Sequence, residues 1–179
     1  MIVSVIIDLE SVSSASASLA AAQRGDSIFY GELVKISFFV DCPPVGQPRQ
    51  RHALIGGQVR NYTPKTHPVV LFKSCVCIAA RRAYQGTLLD GPLRVSMLFL
   101  LPRPKRLVWK TKPMPRAWAT CKPDFDNMAK AVGDALNGVL WLDDALICDV
   151  VIRKMYADGG GSAGVEVEIE NNIGGNHSH

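Results

Sequence analysis

The chain holds 179 residues, 47% hydrophobic and 20% charged, enough to bury one ordinary core and too few for two full domains. No apolar run approaches the roughly 18 residues a membrane span needs, since the best candidate, Pro92 to Pro102, is short and carries Arg94. The net charge of +4 is segregated: residues 1–42 sum to −3, residues 43–122 carry fifteen basic side chains against Asp90 alone, and residues 123–179 sum to −7.

Residues 1–33 read as an N-terminal extension of unknown role, with a β-like start (Ile2, Val3, Val5, Ile6, Ile7) and a small-residue stretch, Ser11 to Ala22, of weak helical character. Asp8 and Glu10 stand where a secretory signal would want Lys or Arg, so a cytoplasmic protein is expected. Val34 to Val40 alternates as a strand and stops at Pro43-Pro44. Val45 to Pro64 is a polar, Gly/Pro-rich loop with Arg49, Arg51 and Arg60, a hairpin tip at Gly56-Gly57, and Lys65 just beyond. His67 to Tyr84 is expected as a helix with Val70, Cys77, Ala80 and Ala83 on one side, capped by Gly86.

Leu93 to Leu101 reads as a buried strand. The Pro-punctuated loop from Pro102 to Pro123 follows, with Arg103, Lys105, Arg106, Lys110, Lys112 and Arg116 interleaved with Trp109 and Trp118. Basic residues mixed with aromatics suit a loop that tracks nucleic acid. A second helix starts at Pro123-Asp124 and stops at Asn137-Gly138. On a helical projection Phe125, Met128/Ala129, Val132 and Leu136 make its apolar stripe, and Asp126, Lys130, Asp134 and Asn137 make a polar ridge. Ala145 to Tyr156 and Gly164 to Glu170 read as two strands of a hairpin, and residues 171–179 as a disordered tail. The expected architecture is α+β (mixed α/β): a small mixed sheet of about four strands with two main helices, in the order β-α-β-α-β-β.

A cationic middle of this density attracts a polyanion, with each phosphate contact releasing counterions. The anionic end repels phosphate unless a cation stands between. Five cysteines without C-x-x-C and without His at zinc spacing argue against a disulfide framework or a zinc site. Asp124 and Asp126, with Asp143-Asp144 presented after the turn, offer hard oxygen donors that favour Mg²⁺, or Mn²⁺. Taken singly, the same residues have structural uses: Asp124 as an N-cap, Asp126 as a first-turn charge, Lys130 as the i±4 partner of Asp126 and Asp134.

The run Asp124-Phe-Asp126-Asn127 with Lys130, Asp134-Ala-Leu, and Trp141-Leu-Asp143-Asp144 resembles the RusA family of Holliday-junction resolvases. Pro48-Arg49, Tyr62-Thr63-Pro64 and Arg153-Lys-Met-Tyr156 agree with it, so the likeness spans about Lys35 to Glu170. Leu146 stands where that family often has Gln. The resemblance implies a nuclease domain over residues 34–170 in a homodimer that nicks four-way junction DNA symmetrically with Mg²⁺, in recombination and repair, inside a bacterial or phage-infected cell. It implies Asp124, Asp126 and Asp144 as metal ligands and Asp126 and Lys130 as catalytic residues. Arg49, Arg51, Arg60, Lys65 and the Pro102 to Pro123 cations would then hold DNA. Two other classes compete: a non-catalytic junction-binding protein, and a small transferase using Asp-x-Asp to hold a metal-nucleotide, the latter lacking any Gly-rich phosphate loop.

Overall fold

The computed structural model describes residues 34–48, 51–55, 58–62 and 66–171, with the backbone alone for 51–55 and 58–62. Residues 1–33 and 172–179 lie outside the described set, as do Arg49, Lys65 and the side chains of Arg51 and Arg60. The strands are β1 (Lys35–Val40), β2 (Arg51–Ile55), β3 (Gln58–Tyr62), β4 (Leu93–Leu101), β5 (Ala117–Trp118), β6 (Ile147–Tyr156) and β7 (Gly164–Asn171); the helices are α1 (Pro68–Ala83) and α2 (Phe125–Leu136). Short 3₁₀ turns cover Lys105–Leu107 and Asp144–Leu146. Asn171 closes β7 instead of opening the tail.

Five strands form one mixed sheet in the order β1-β7-β4-β6-β5, and β2 pairs with β3 separately. β4 runs parallel to β6 and antiparallel to β7, and β7 is antiparallel to β1. The expected hairpin of β6 with β7 is therefore corrected, because β4 lies between them. The composition of β4 suits a central place: Leu93, Val95, Met97, Phe99 and Leu101 are buried on one face, and Leu98 and Leu100 add apolar surface to the other beside Arg94 and Ser96, a longer and more apolar strand than an edge position would shelter. The polar loop foreseen after Pro44 contains the β2–β3 hairpin, with residues 56–57 between its strands.

One sheet face is covered by helices. Ile36, Phe38 and Val40 alternate inward from β1, as do Val165, Val167 and Ile169 from β7, and they join Val95, Met97 and Phe99. On α1 the buried stripe is Val69, Phe72, Val76 and Ala80, one residue out of phase with the expected Val70 side, and Val70 is exposed. Adjacent Val69 and Val70 fit either phase, and the bulk of Phe72 decides it. α1 starts with Pro68 after His67, whose Nδ1 accepts the Val69 N–H at 3.2 Å. It ends at Tyr84, whose N–H reaches the Ala80 carbonyl at 2.9 Å, so Gly86 is not the cap. Met128, Ala131, Val132, Ala135 and Leu136 of α2 are buried against the core, while Phe125, expected in that stripe, is exposed because it lies in the first turn at the edge of the layer.

The opposite face of the sheet carries polar residues. Lys35–Glu170 (2.9 Å) and Arg94–Asp149 (2.6 Å) pair across neighbouring strands, and Arg116, just before β5, reaches Glu166 of the non-adjacent β7 at 2.6 Å. Half-exposed pairs of this kind contribute roughly 0–1 kcal/mol each. They fix register more than they stabilise the domain.

Candidate active site

The site is built on the N-terminal half of α2. Asp124 is the N-cap residue, in extended backbone (φ −71°, ψ 144°), and its carbonyl accepts the Met128 N–H at 3.2 Å. Its carboxylate caps nothing. An N-cap bond contributes about 1 kcal/mol, so the exposed carboxylate forgoes helix stabilisation and stays free for another ligand. Asp126 follows in the first turn and Lys130 one turn later, both exposed. No hydrogen bond or ion pair engages the side chains of Asp124, Asp126 or Lys130 among the described residues. The i±4 pairing open to Lys130 is thus not formed: Asp134 pairs with Lys73 of α1 at 2.8 Å instead.

Past Leu136, Asn137 ends the helix and Gly138 takes φ +71°, a conformation that favours glycine. Gly138 N–H donates to the Trp141 carbonyl at 2.8 Å, which closes the turn. Trp141 is fully buried and its indole Nε1–H donates to Asp144 Oδ1 at 2.8 Å. Asp143 instead accepts the Ala145 N–H at 2.8 Å and caps the 3₁₀ turn. Of the two adjacent aspartates, Asp144 is the one turned toward α2: its Oδ2 lies 4.0 Å from where a Cβ on Gly133 would sit.

Gly133 is seven residues beyond Asp126, or ~10 Å along the helix axis at 1.5 Å per residue, and Lys130 lies between them. Asp126, Lys130 and Asp144 therefore line one side of α2 as a row. Among the described residues no three acidic, His or Cys groups stand close enough to hold a metal ion, so the single shared ligand sphere expected for Asp124, Asp126 and Asp144 is not preassembled. Asp144 stands beside Gly133 with its Oδ1 on the Trp141 indole. The donor set still fits Mg²⁺, which usually keeps several waters and needs only one or two carboxylates plus substrate phosphates; Asp124 and Asp126 are such a pair.

Two neighbours that the sequence did not reveal hold the start of α2. Gln47 N–H donates to the Asn127 carbonyl at 2.8 Å, and a Cβ on Gly46 would stand 3.2 Å from Asn127 Cβ and 3.3 Å from Pro123 Cβ. On the other side, Lys154 Nζ donates to the carbonyls of Cys121 (2.5 Å) and Pro123 (3.1 Å). A lysine in a strand reads as solvent-facing from sequence, and although Arg153-Lys-Met-Tyr156 belongs to the family resemblance, nothing in it assigns Lys154 this contact.

The basic loop divides into two groups. Arg103 donates to the carbonyls of Ala157 (3.2 Å) and Pro115 (2.5 Å) and so pins the loop to the sheet, and Arg116 is paired with Glu166. Lys105, Arg106, Lys110 and Lys112 are exposed and make no ion pair among the described residues. Trp109 and Trp118 are exposed as well, Trp118 at 68%. No helix of the described residues is long and apolar enough to cross a membrane.

Comparison with known proteins places the chain in a family. A family model described as Endodeoxyribonuclease RusA matches residues 41–170. A Bacillus subtilis (strain 168) protein described as Uncharacterized protein YqaN is 31% identical over 128 residues, which is 69% of this chain and 89% of YqaN.

Proposed function

This chain belongs to the RusA endodeoxyribonuclease family, and from that premise we propose that it is a Mg²⁺-dependent nuclease that resolves four-way DNA junctions in recombination and repair by paired phosphodiester hydrolysis. The observation that carries the reading is the row on α2, where Asp124, Asp126 and Lys130 are exposed and uncommitted at the end of the molecule fed by the basic loop.

Asp124 and Asp126 would hold the cation, with Asp144 the third acidic group of the row; Mn²⁺ has the same donor preference. When bound, Mg²⁺ supplies an acidified water and charge neutralisation at the phosphate. The remaining work belongs to the chain. Lys130 slants toward the helix N-terminus, as long helical side chains do, which brings its ammonium toward Asp126 to bind a non-bridging phosphate oxygen and stabilise charge developing there. Asp126 orients the attacking water. Lys105, Arg106, Lys110 and Lys112 bind backbone phosphates, which positions the junction arms without reading sequence, and Phe125, Trp109 and Trp118 offer faces for unpaired bases. Arg49, Arg51, Arg60 and Lys65 would extend the same cationic surface. Two symmetry-related strands require two sites, which a homodimer provides, and its place of action would be the cytoplasm.

The test is incubation of the protein with a synthetic four-way junction or a linear duplex, in Mg²⁺ or EDTA. Paired nicks opposite one another, on the junction alone and in Mg²⁺ alone, are expected. Equal cutting of the duplex removes junction selectivity, and tight junction binding with no nicking in either Mg²⁺ or Mn²⁺ leaves a binding protein.

A further inference from the structure

The contacts of Lys154 assign it a task that the family reading does not include. Along β6, Val150, Ile152, Lys154 and Tyr156 stand beside Val95, Met97, Phe99 and Leu101 of parallel β4, and those four β4 residues are buried under the helices. Lys154 therefore stands on the helix side of the sheet, half-buried near its margin, within reach of the chain that leads into α2. Its partners are main-chain oxygens, the carbonyls of Cys121 and Pro123. The Lys154 carbonyl in turn accepts the Ala119 N–H at 3.2 Å. One residue thus grips the segment from 119 to 123 at three points, and the next residue is Asp124.

A role in stability alone accounts poorly for the choice of a cation. The start of a helix carries partial positive charge, which disfavours an ammonium nearby by a few tenths of a kcal/mol or more. What an ammonium offers is several donors on one atom, able to hold two carbonyls in fixed relative orientation. Because the Pro123 carbonyl and the Asp124 carboxylate are separated by few rotatable bonds, holding the first restricts where the second can point. Asp124 has no cap bond of its own to fix it.

We propose that Lys154 is a positioning residue for the acidic row: by clamping the Cys121 and Pro123 carbonyls it sets the pose of Asp124 toward the cation. The assignment rests on the nuclease reading above, and its test has an arm independent of that reading. Hydrogen exchange of the metal-free full chain is compared between wild type, Lys154→Met, Lys154→Gln and Lys154→Arg. Exchange across residues 119–127 is expected to quicken at least tenfold in Lys154→Met and less in Lys154→Gln, which keeps one donor group. Exchange across β4 should stay within twofold, and Lys154→Arg should restore protection. Junction nicking is then titrated with Mg²⁺: the half-maximal concentration should rise at least fivefold in Lys154→Met while metal-free junction affinity stays within twofold. Unchanged exchange at 119–127 overturns the clamp. Quickened exchange with unchanged Mg²⁺ dependence overturns the positioning role, as does uniform loss of protection in every variant, Lys154→Arg included. If wild type itself does not nick, the nuclease reading fails while the exchange arm still decides the clamp.

Discussion

Trp141→Phe probes the least obvious link in the site, the tether from core to Asp144. The indole is fully buried and its Nε1–H donates to Asp144 Oδ1 at 2.8 Å; phenylalanine keeps the apolar ring and deletes the donor. The smaller ring leaves a void of ~40 Å³, which at ~24 cal/mol per Å³ costs about 1 kcal/mol. The lost bond to a carboxylate would cost ~1.5–3 kcal/mol if buried, and the exposure of Asp144 brings that to about 1 kcal/mol because water replaces the donor. A total near 2 kcal/mol is expected in urea unfolding. If the tether's roughly 1 kcal/mol is expressed in the transition state, single-turnover junction nicking falls about fivefold. Ile169→Val, in the same core on the remote strand β7 and fully buried, is the control, costing about 1 kcal/mol with no change in nicking rate. Trp141→Phe that loses the stability and cleaves at the wild-type rate would refute the claim that the orientation of Asp144 matters.

Salt dependence separates the two groups of loop cations. Changing Lys105, Arg106, Lys110 and Lys112 together to Ala should lower the slope of log K against log salt for junction binding by up to ~3–4, at ~0.9 per phosphate contact, whereas Arg116→Ala should leave the slope within about 0.5 because its guanidinium is already paired with Glu166; equal effects would contradict the division. Thiol reactivity reports packing at the end of β1. Burial, with the neighbouring Cys75 thiol, pushes Cys42 up to about 11, and the thiolate is the reactive form. Alkylation by iodoacetamide at pH 8 should therefore spare Cys42 while exposed Cys121 and Cys148 react, and its rate should climb about tenfold per pH unit toward 11. Rapid labelling of Cys42 at pH 8 would contradict the half-buried, thiol-paired environment.

Much of this fold is legible because strong local signals agree with tertiary packing. β4 runs from Leu93 to Leu101 as its apolar run and flanking prolines require, and the ridge Asp126, Lys130, Asp134, Asn137 is exposed along its whole length. The errors arise where a decision is global. Chain adjacency suggests that β6 and β7 pair, but the long, largely apolar run of β4 takes the place between them. Gly56-Gly57 marks the tip of the β2–β3 hairpin, but its arms carry Arg, Gln and Asn and no clear alternation, so the strands themselves read as loop. In the site, helix spacing brings out Asp126 and Lys130; Asp144 over Asp143 is implied in sequence by the family resemblance alone, and the different hydrogen bonds of the two, indole for Asp144 and the Ala145 cap for Asp143, are visible only in the structure. Lys154 and Arg103 look like any surface cation in sequence. Both are spent on backbone carbonyls distant in the chain, a use that side-chain pattern does not encode.

The central claim is that the acidic residues at the start of α2 perform cleavage and not binding. Single-turnover nicking of a four-way junction by Asp124→Asn and Asp126→Asn, beside their junction affinity in EDTA, measures it directly. Either substitution is expected to lower the rate by at least a hundredfold, more than ~2.7 kcal/mol of transition-state stabilisation, while affinity is unchanged or slightly tighter as negative charge near phosphate is removed. Nicking by both variants at near wild-type rates would contradict it.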